Sequence, residues 1–253
     1  MDLIEFEKEF RTEAQCRAYI IRLRYTDGIF TCPLCGSKKS YPVKDNFYEC
    51  AQCGHQESIL SGTLFQDTHK SLCLWFRAIW YITSQKNGTS ALGLQRVLGL
   101  GSYKTAWLWL HKLRRAMVRP GREKLSGKIE VDEAYFGGPE SGGKRGRGTE
   151  NKVLAVIAVE INEGKVGRMR IAIIQDLSSA SLHGFIEDTV EQGSIIITDG
   201  WRGYNGISAK GYSHETITAG EQDVLLPHIH TIISLIKRWI LGTLQGSCSK
   251  EHL

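Results

Sequence analysis

An α+β multidomain chain is what these 253 residues predict, and three features carry the prediction. Four cysteines stand as two Cys-x-x-Cys pairs near the start, apolar residues from about Leu72 to Val118 recur at helical spacing, and two β-branched runs in the second half each end on an aspartate. These place a zinc ribbon with an N-terminal helix at residues 1–65, a helical, helix-turn-helix-like region at 66–124, and an α/β domain at 125–253.

Composition narrows the function classes. Hydrophobic residues make up 42% and charged ones 23%, as in ordinary globular chains. Residues 1–125 carry 19 Lys+Arg against 11 Asp+Glu, and residues 126–253 carry 13 against 16, so the front half is the part suited to a polyanion. Solvated surface charge alone could produce the same split. No stretch approaches the roughly 18 apolar residues of a membrane span; the longest apolar run is Val153 to Val159. The acidic start from Met1 to Glu9 lacks a secretory signal, and seven cysteines, an odd number, suit a reducing compartment. The expectation is a cytoplasmic protein with no membrane partner.

Cys32-Pro33-Leu34-Cys35 and Cys50-Ala51-Gln52-Cys53 are each followed by glycine, Gly36 and Gly54. Two residues between cysteines let both thiolates of a knuckle reach one ion, and two knuckles complete a tetrahedral Zn²⁺ shell. With all four positions filled by sulfur, this zinc is structural. Asn46 to Glu49 alternates as a short ribbon strand, and Cys16, Cys73 and Cys248 have no ligand spacing.

In the middle region Ser90 can cap a helix through Leu98, Gly99 to Ser102 makes a turn, and Tyr103 to Met117 forms a second helix. The second helix carries Lys104, His111, Lys112, Arg114 and Arg115 on a polar side and Trp107, Leu110 and Leu113 on an apolar side, as a DNA-docking helix could. Helical hairpins that never touch DNA share this pattern.

The glycine-rich stretch 137–148 has P-loop spacing from Gly138 to Lys144, but Arg145 stands where a magnesium-binding Ser or Thr is required, which excludes nucleotide hydrolysis of that kind. Lys144, Arg145 and Arg147 are either a solvated hairpin tip or contacts to DNA phosphates.

Lys128 to Asp132 and Ser194 to Gly200 each bring an aspartate to the end of a buried strand, where two carboxylates can hold a pair of divalent cations. Asp-Gly is also ordinary turn chemistry, and Asp132 could simply end its strand. Strands at Lys152 to Ile161 and Gly167 to Ile174, then a helix near Ser179 to Glu191, give the order β-β-β-α-β of the RNase H-like fold. In that fold the first and fourth strands are neighbours, so Asp132 and Asp199 would meet. Glu133, one residue on, would face the opposite side of the strand.

Together, Cys-Pro-Leu-Cys-Gly, Ser61-Gly62-Thr63-Leu64-Phe65, Leu94 to Leu100, Tyr103-Lys104-Thr105-Ala106-Trp107, Val131-Asp132-Glu133-Ala134-Tyr135-Phe136-Gly137-Gly138 and Thr198-Asp199-Gly200-Trp201 make a specific combination. The chain resembles bacterial insertion-sequence transposases with an N-terminal zinc ribbon and a DDE-type catalytic domain. The resemblance covers nearly the whole chain. It implies binding of double-stranded DNA at terminal inverted repeats, strand cleavage dependent on Mg²⁺ or Mn²⁺, strand transfer to target DNA, self-association in a synaptic complex, and a nucleoid-associated location.

Carried over residue by residue, Asp132 and Asp199 take the first two acid positions and bind the catalytic cations. The segment from Leu226 to Trp239 resembles a branch with His in the third position and a following Lys, which His230 and Lys237 match. Seven residues are about two helical turns, so both lie on one helix face. Imidazole adds no negative charge, so His230 would favour manganese or orient the scissile phosphate, and Lys237 would meet phosphate as a point charge.

Relatives continue beyond the position of Leu253 into a further tyrosine- and arginine-bearing segment, so the chain resembles a truncated copy and Trp239, Ile240 and Leu241 are expected to be partly exposed. The competing expectations are a catalytically decayed copy that acts only as a zinc-ribbon DNA-binding protein, and a junction or hybrid nuclease on the same fold.

Overall fold

In the computed structural model, residues 1–118, 121–137, 152–217 and 226–244 are described. The chain divides into two compact units, Met1–Arg119 and Pro120–Leu253. The ribbon and the helical region, expected to separate at 65/66, therefore share one unit.

In the first unit, α1 (Leu3–Glu9) and α2 (Glu13–Arg24) both start with reciprocal capping boxes, Asp2 with Glu5 and Thr12 with Gln15. An antiparallel sheet follows, β1 (Ser40–Lys44), β2 (Phe47–Cys50) and β3 (Gln56–Ser58). Next come α3 (Leu72–Ser84), α4 (Ala91–Leu98) and α5 (Tyr103–Met117). Packing explains why no break falls at residue 65. Phe76 and Leu72 of α3 join Phe6, Phe10, Ile20, Phe30 and Ile59 in one core, and Glu13 of α2 accepts the Leu72 and Cys73 backbone N–H groups at 3.0 Å each.

The turn between α4 and α5 forms as expected. Ser90 caps α4 through the Gly93 N–H at 3.0 Å, and Gly99 closes it at φ 63°, a conformation that glycine adopts without a Cβ clash. Leu110 and Leu113 of α5 face the core as expected, but the buried indole is that of Trp109, which joins them with Ala106 and stacks on Trp75 at 3.7 Å between ring centroids. Trp107 is only half-buried, beside Tyr103 and His111.

The second unit holds β4 (Lys128–Phe136), β5 (Val153–Asn162), β6 (Lys165–Ile173), α6 (Ser179–Thr189), β7 (Ile195–Thr198), 3₁₀ turns at Arg202–Tyr204 and Ile207–Lys210, β8 (Ser213–Thr216) and α7 (Pro227–Leu244). The sheet order is β6-β5-β4-β7-β8, with β4 antiparallel to β5 and parallel to β7, the arrangement of the RNase H-like fold.

The two sheet faces are covered by different helices. Ile129, Val131, Val156 and Ala158 pack against Leu182, Phe185 and Ile186 of α6. Ala134, Phe136, Ile157 and Val159 pack against Ile229, Ile233 and Ile240 of α7. This double cover explains the continuous apolar run of β5, which is buried from Val153 to Val159. Of the three α7 residues expected to be partly exposed, Leu241 is exposed and Trp239 half-buried, whereas Ile240 is buried in the core.

Candidate active site and zinc-ribbon ligands

The four ribbon cysteines converge. Cys32 Sγ lies 3.7 Å from Cys53 Sγ and Cys35 Sγ 3.5 Å from Cys50 Sγ, with all four sulfurs within 4.8 Å of one another. Sulfurs held about 2.3 Å from a central zinc stand about 3.8 Å apart on the edges of a tetrahedron, so the quartet fits this ion. The knuckles are built by backbone: Gly36 and Gly54 sit at φ 71° and 72° and donate to Cys32 O and Cys50 O at 2.9 Å each. Backbone N–H groups of Cys53 and Gln52 donate to Cys50 and, against desolvation, help draw its thiol down to about 6.

In the second unit the β4–β7 register sets the geometry. Lys128, Ile129 and Glu130 pair with Ile195, Ile196 and Ile197, so two residues beyond the last pair come Asp132 and Asp199. Asp132 does not end its strand, as the sequence suggested. β4 continues to Phe136 against β5, while β7 ends at Thr198. Asp132 therefore lies beside the point where its parallel neighbour has turned away, with its side chain on the α7 face of the sheet. Asp199 lies in that turn, accepting the Trp201 N–H at 3.0 Å.

Helix α7 supplies the third group: His230 Nε2 lies 3.2 Å from Asp132 Oδ2. Asp132 is 15% exposed and His230 47%. Burial raises the Asp132 pKa above its ordinary value, and the charge of Asp199 adds to this, while the Glu133 N–H and His230 oppose it. Asp132, Asp199 and His230 offer oxygen and nitrogen donors in one region, but among the described residues only the four ribbon cysteines bring three or more ligand atoms within 4.8 Å of one another. Lys237 is exposed two turns further along α7. Glu133 points to the other sheet face, toward Tyr204, as strand alternation requires.

One pair was missed by sequence reasoning. Buried Glu130 accepts His228 Nδ1 at 2.7 Å through one oxygen and the Ile229 N–H at 2.8 Å through the other. A signal existed: Glu130 precedes Asp132, and His228 precedes His230, by the same two residues.

Of the basic residues on α5, Lys104, Lys112 and Arg115 are exposed. Arg114 is half-buried and directs its guanidinium to Thr89 O at 3.4 Å, so it differs from the outward side chain expected. Lys144, Arg145 and Arg147 lie outside the described residues. No helix among the described residues is long and apolar enough to cross a membrane.

Fold and site together define a zinc-ribbon protein with an RNase H-like unit that gathers acidic side chains at the gap beside its central strand. The chain belongs to the ISXO2-like transposase domain family, which matches residues 124–253, and the transposase zinc-ribbon domain matches residues 11–56. It is a transposase of an insertion-sequence family. A relative in Halobacterium salinarum, described as an uncharacterized protein in transposable element ISH50, is 24% identical over 92% of this chain and 85% of its own length. Among solved structures, the Mos1 transposase paired-end complex with left transposon end aligns at a TM-score of 0.31 and 11% identity over 69% of this chain and 67% of that one. The Mos1 strand transfer complex aligns at 0.32 and 10% over 70% and 67%.

Proposed function

We propose that this transposase binds the terminal inverted repeats of its element, cuts DNA there in a metal-dependent step, and joins the freed end to target DNA. The observation that carries this is the meeting of Asp132 with His230 at 3.2 Å, beside a β4–β7 register whose last pair, Glu130 with Ile197, stands two residues before each aspartate.

In this reading Asp132 and Asp199 are the oxygen ligands of Mg²⁺ or Mn²⁺, and His230 is the nitrogen ligand or the group that orients the phosphate. Bound cations would activate water and neutralise charge at the leaving oxygen. Water attacks phosphorus, the bond to the 3′ oxygen breaks, and that oxygen leaves as a hydroxyl. In the joining step this hydroxyl attacks a target phosphodiester. Lys237 meets a phosphate by charge, and Lys104, Lys112 and Arg115 of α5 contact the duplex backbone, with Lys144, Arg145 and Arg147 as further contacts. The Cys32, Cys35, Cys50 and Cys53 zinc holds the ribbon in shape, and the chain self-associates to pair two DNA ends.

Asp132→Ala and Asp199→Ala are the test. Each should abolish Mg²⁺- or Mn²⁺-dependent nicking of inverted-repeat DNA while binding stays within about twofold, because cleavage and phosphate contacts use different residues. Nicking by both variants at the wild-type rate would remove the assignment. Equal cleavage of an RNA–DNA hybrid without repeat ends would favour a hybrid nuclease.

A further inference from the structure

We propose that Glu130 is a positioning residue for the cutting centre: its carboxylate caps α7 from the neighbouring strand and thereby fixes His230 against Asp132. This rests on the proposed roles of Asp132, Asp199 and His230.

The residue at the capping position of helix α7 offers no side-chain acceptor. The first intrahelical bond runs from the His230 N–H to Leu226 O, which makes Leu226 the residue in the capping position. A leucine side chain accepts nothing. Leu226 also sits at φ 66°, a left-handed conformation that is unfavourable for a non-glycine residue and persists only where surroundings hold it. Its side chain is buried in the α7-side core. The capping oxygen comes instead from β4, where Glu130 accepts the Ile229 N–H.

The second oxygen of Glu130 binds His228, whose other ring nitrogen lies 3.2 Å from Gly164 O in the β5–β6 turn. A negative group at the start of a helix is favoured by the helix dipole, and here it is only 5% exposed, so water competes little for its two bonds. The result is a pair of matched contacts: Glu130 with His228, and Asp132 with His230. Glu130 and Asp132 share one strand face, so fixing the first contact sets how far along β4 the helix starts. His230 has little choice of position once its neighbours are held. Outer groups that orient a ligand commonly govern activity by about 10–100-fold.

The experiment uses the full chain on inverted-repeat DNA. Glu130→Ala should lower kcat by about 10–100-fold and raise the Mn²⁺ concentration for half-maximal cleavage, with KM for DNA unchanged. Glu130→Gln retains one acceptor for the Ile229 N–H and should lose less. The distinguishing readout is coupling: Glu130→Ala added to His230→Ala should cost almost nothing further, whereas a merely structural Glu130 would multiply the losses. Wild-type cleavage by Glu130→Ala, or independent losses in the double variant, would overturn the proposal. If Glu130→Ala fails to fold, Glu130→Gln and its double variant carry the same comparison. Wild-type nicking by Asp132→Ala and Asp199→Ala would instead discard the underlying assignment.

Discussion

Glu160→Gln isolates the ion pair between Glu160 of β5 and Arg168 of β6. Glu160 is 5% exposed near the C-terminal end of β5 and receives Arg168 Nη2 at 2.8 Å, Arg168 Nε at 3.1 Å and the Ser126 N–H at 3.1 Å. The Arg168 guanidinium is the largest cause that holds the Glu160 carboxyl down at about 2, from an ordinary 4.5. Moving a carboxyl by that much is worth at most about 3 kcal/mol. Arg168 is 42% exposed, so solvent screening reduces the expected loss to about 1–2 kcal/mol. Because the folded-state value is depressed, the stabilisation is complete above 4.5 and is lost as pH falls from 4.5 toward 2. Urea unfolding of wild type and Glu160→Gln, followed by tryptophan fluorescence, should show the gap at pH 7 and less than half of it by about pH 3. A gap of the same size at both pH values would refute this account of Glu160.

Other changes test other parts of the molecule. Cys50→Ser should lower bound zinc and unfold the ribbon, because structural zinc contributes folding energy directly; unchanged zinc by chelator titration would disprove the quartet. Trp109→Ala removes the partner of Trp75 and a fully packed core side chain, and should cost about 3–5 kcal/mol in thermal or urea unfolding. Gly203→Ala would put a Cβ 2.6 Å from both Leu177 O and Leu182 Cδ1, so a loss of about 1–3 kcal/mol is expected; unaltered stability would mean that the turn after Asp199 packs more loosely than described.

Much of the local architecture was legible. Ser90, Gly99 and Ser102 are strong punctuation, and they put α4 and α5 where the structure has them. The side of α5 that packs was less so. Trp107 and Trp109 are two residues apart among leucines, and helical period alone does not decide which indole turns inward; contact with Trp75 decides it. Strand β8, Ser213–Thr216, has no apolar alternation and exists through its parallel pairing with β7. The separation at residue 65 failed to anticipate aromatic packing of Phe10 on Phe76, at 4.7 Å between ring centroids. At the acidic site, the two aspartates stood out as strand-borne carboxylates, whereas His230 emerged only through family resemblance, since one histidine on a helix has no spacing signal. Arg114 read as a surface cation because its charge was visible in sequence and its burial was not.

The β4–β5 register has a dynamic consequence. Asp132 belongs to a strand that is matched to β5 over nine consecutive pairs from Lys128 to Phe136, so its amide opens only when the sheet itself does. Asp199 lies past the end of a four-residue strand and is steadied by a local turn. Amide hydrogen exchange should thus be slow at one carboxylate and fast at the other. One side of the acidic site is effectively part of the sheet's rigid frame, and under the proposed assignment the freedom lost on binding a cation would fall mainly on the Asp199 side.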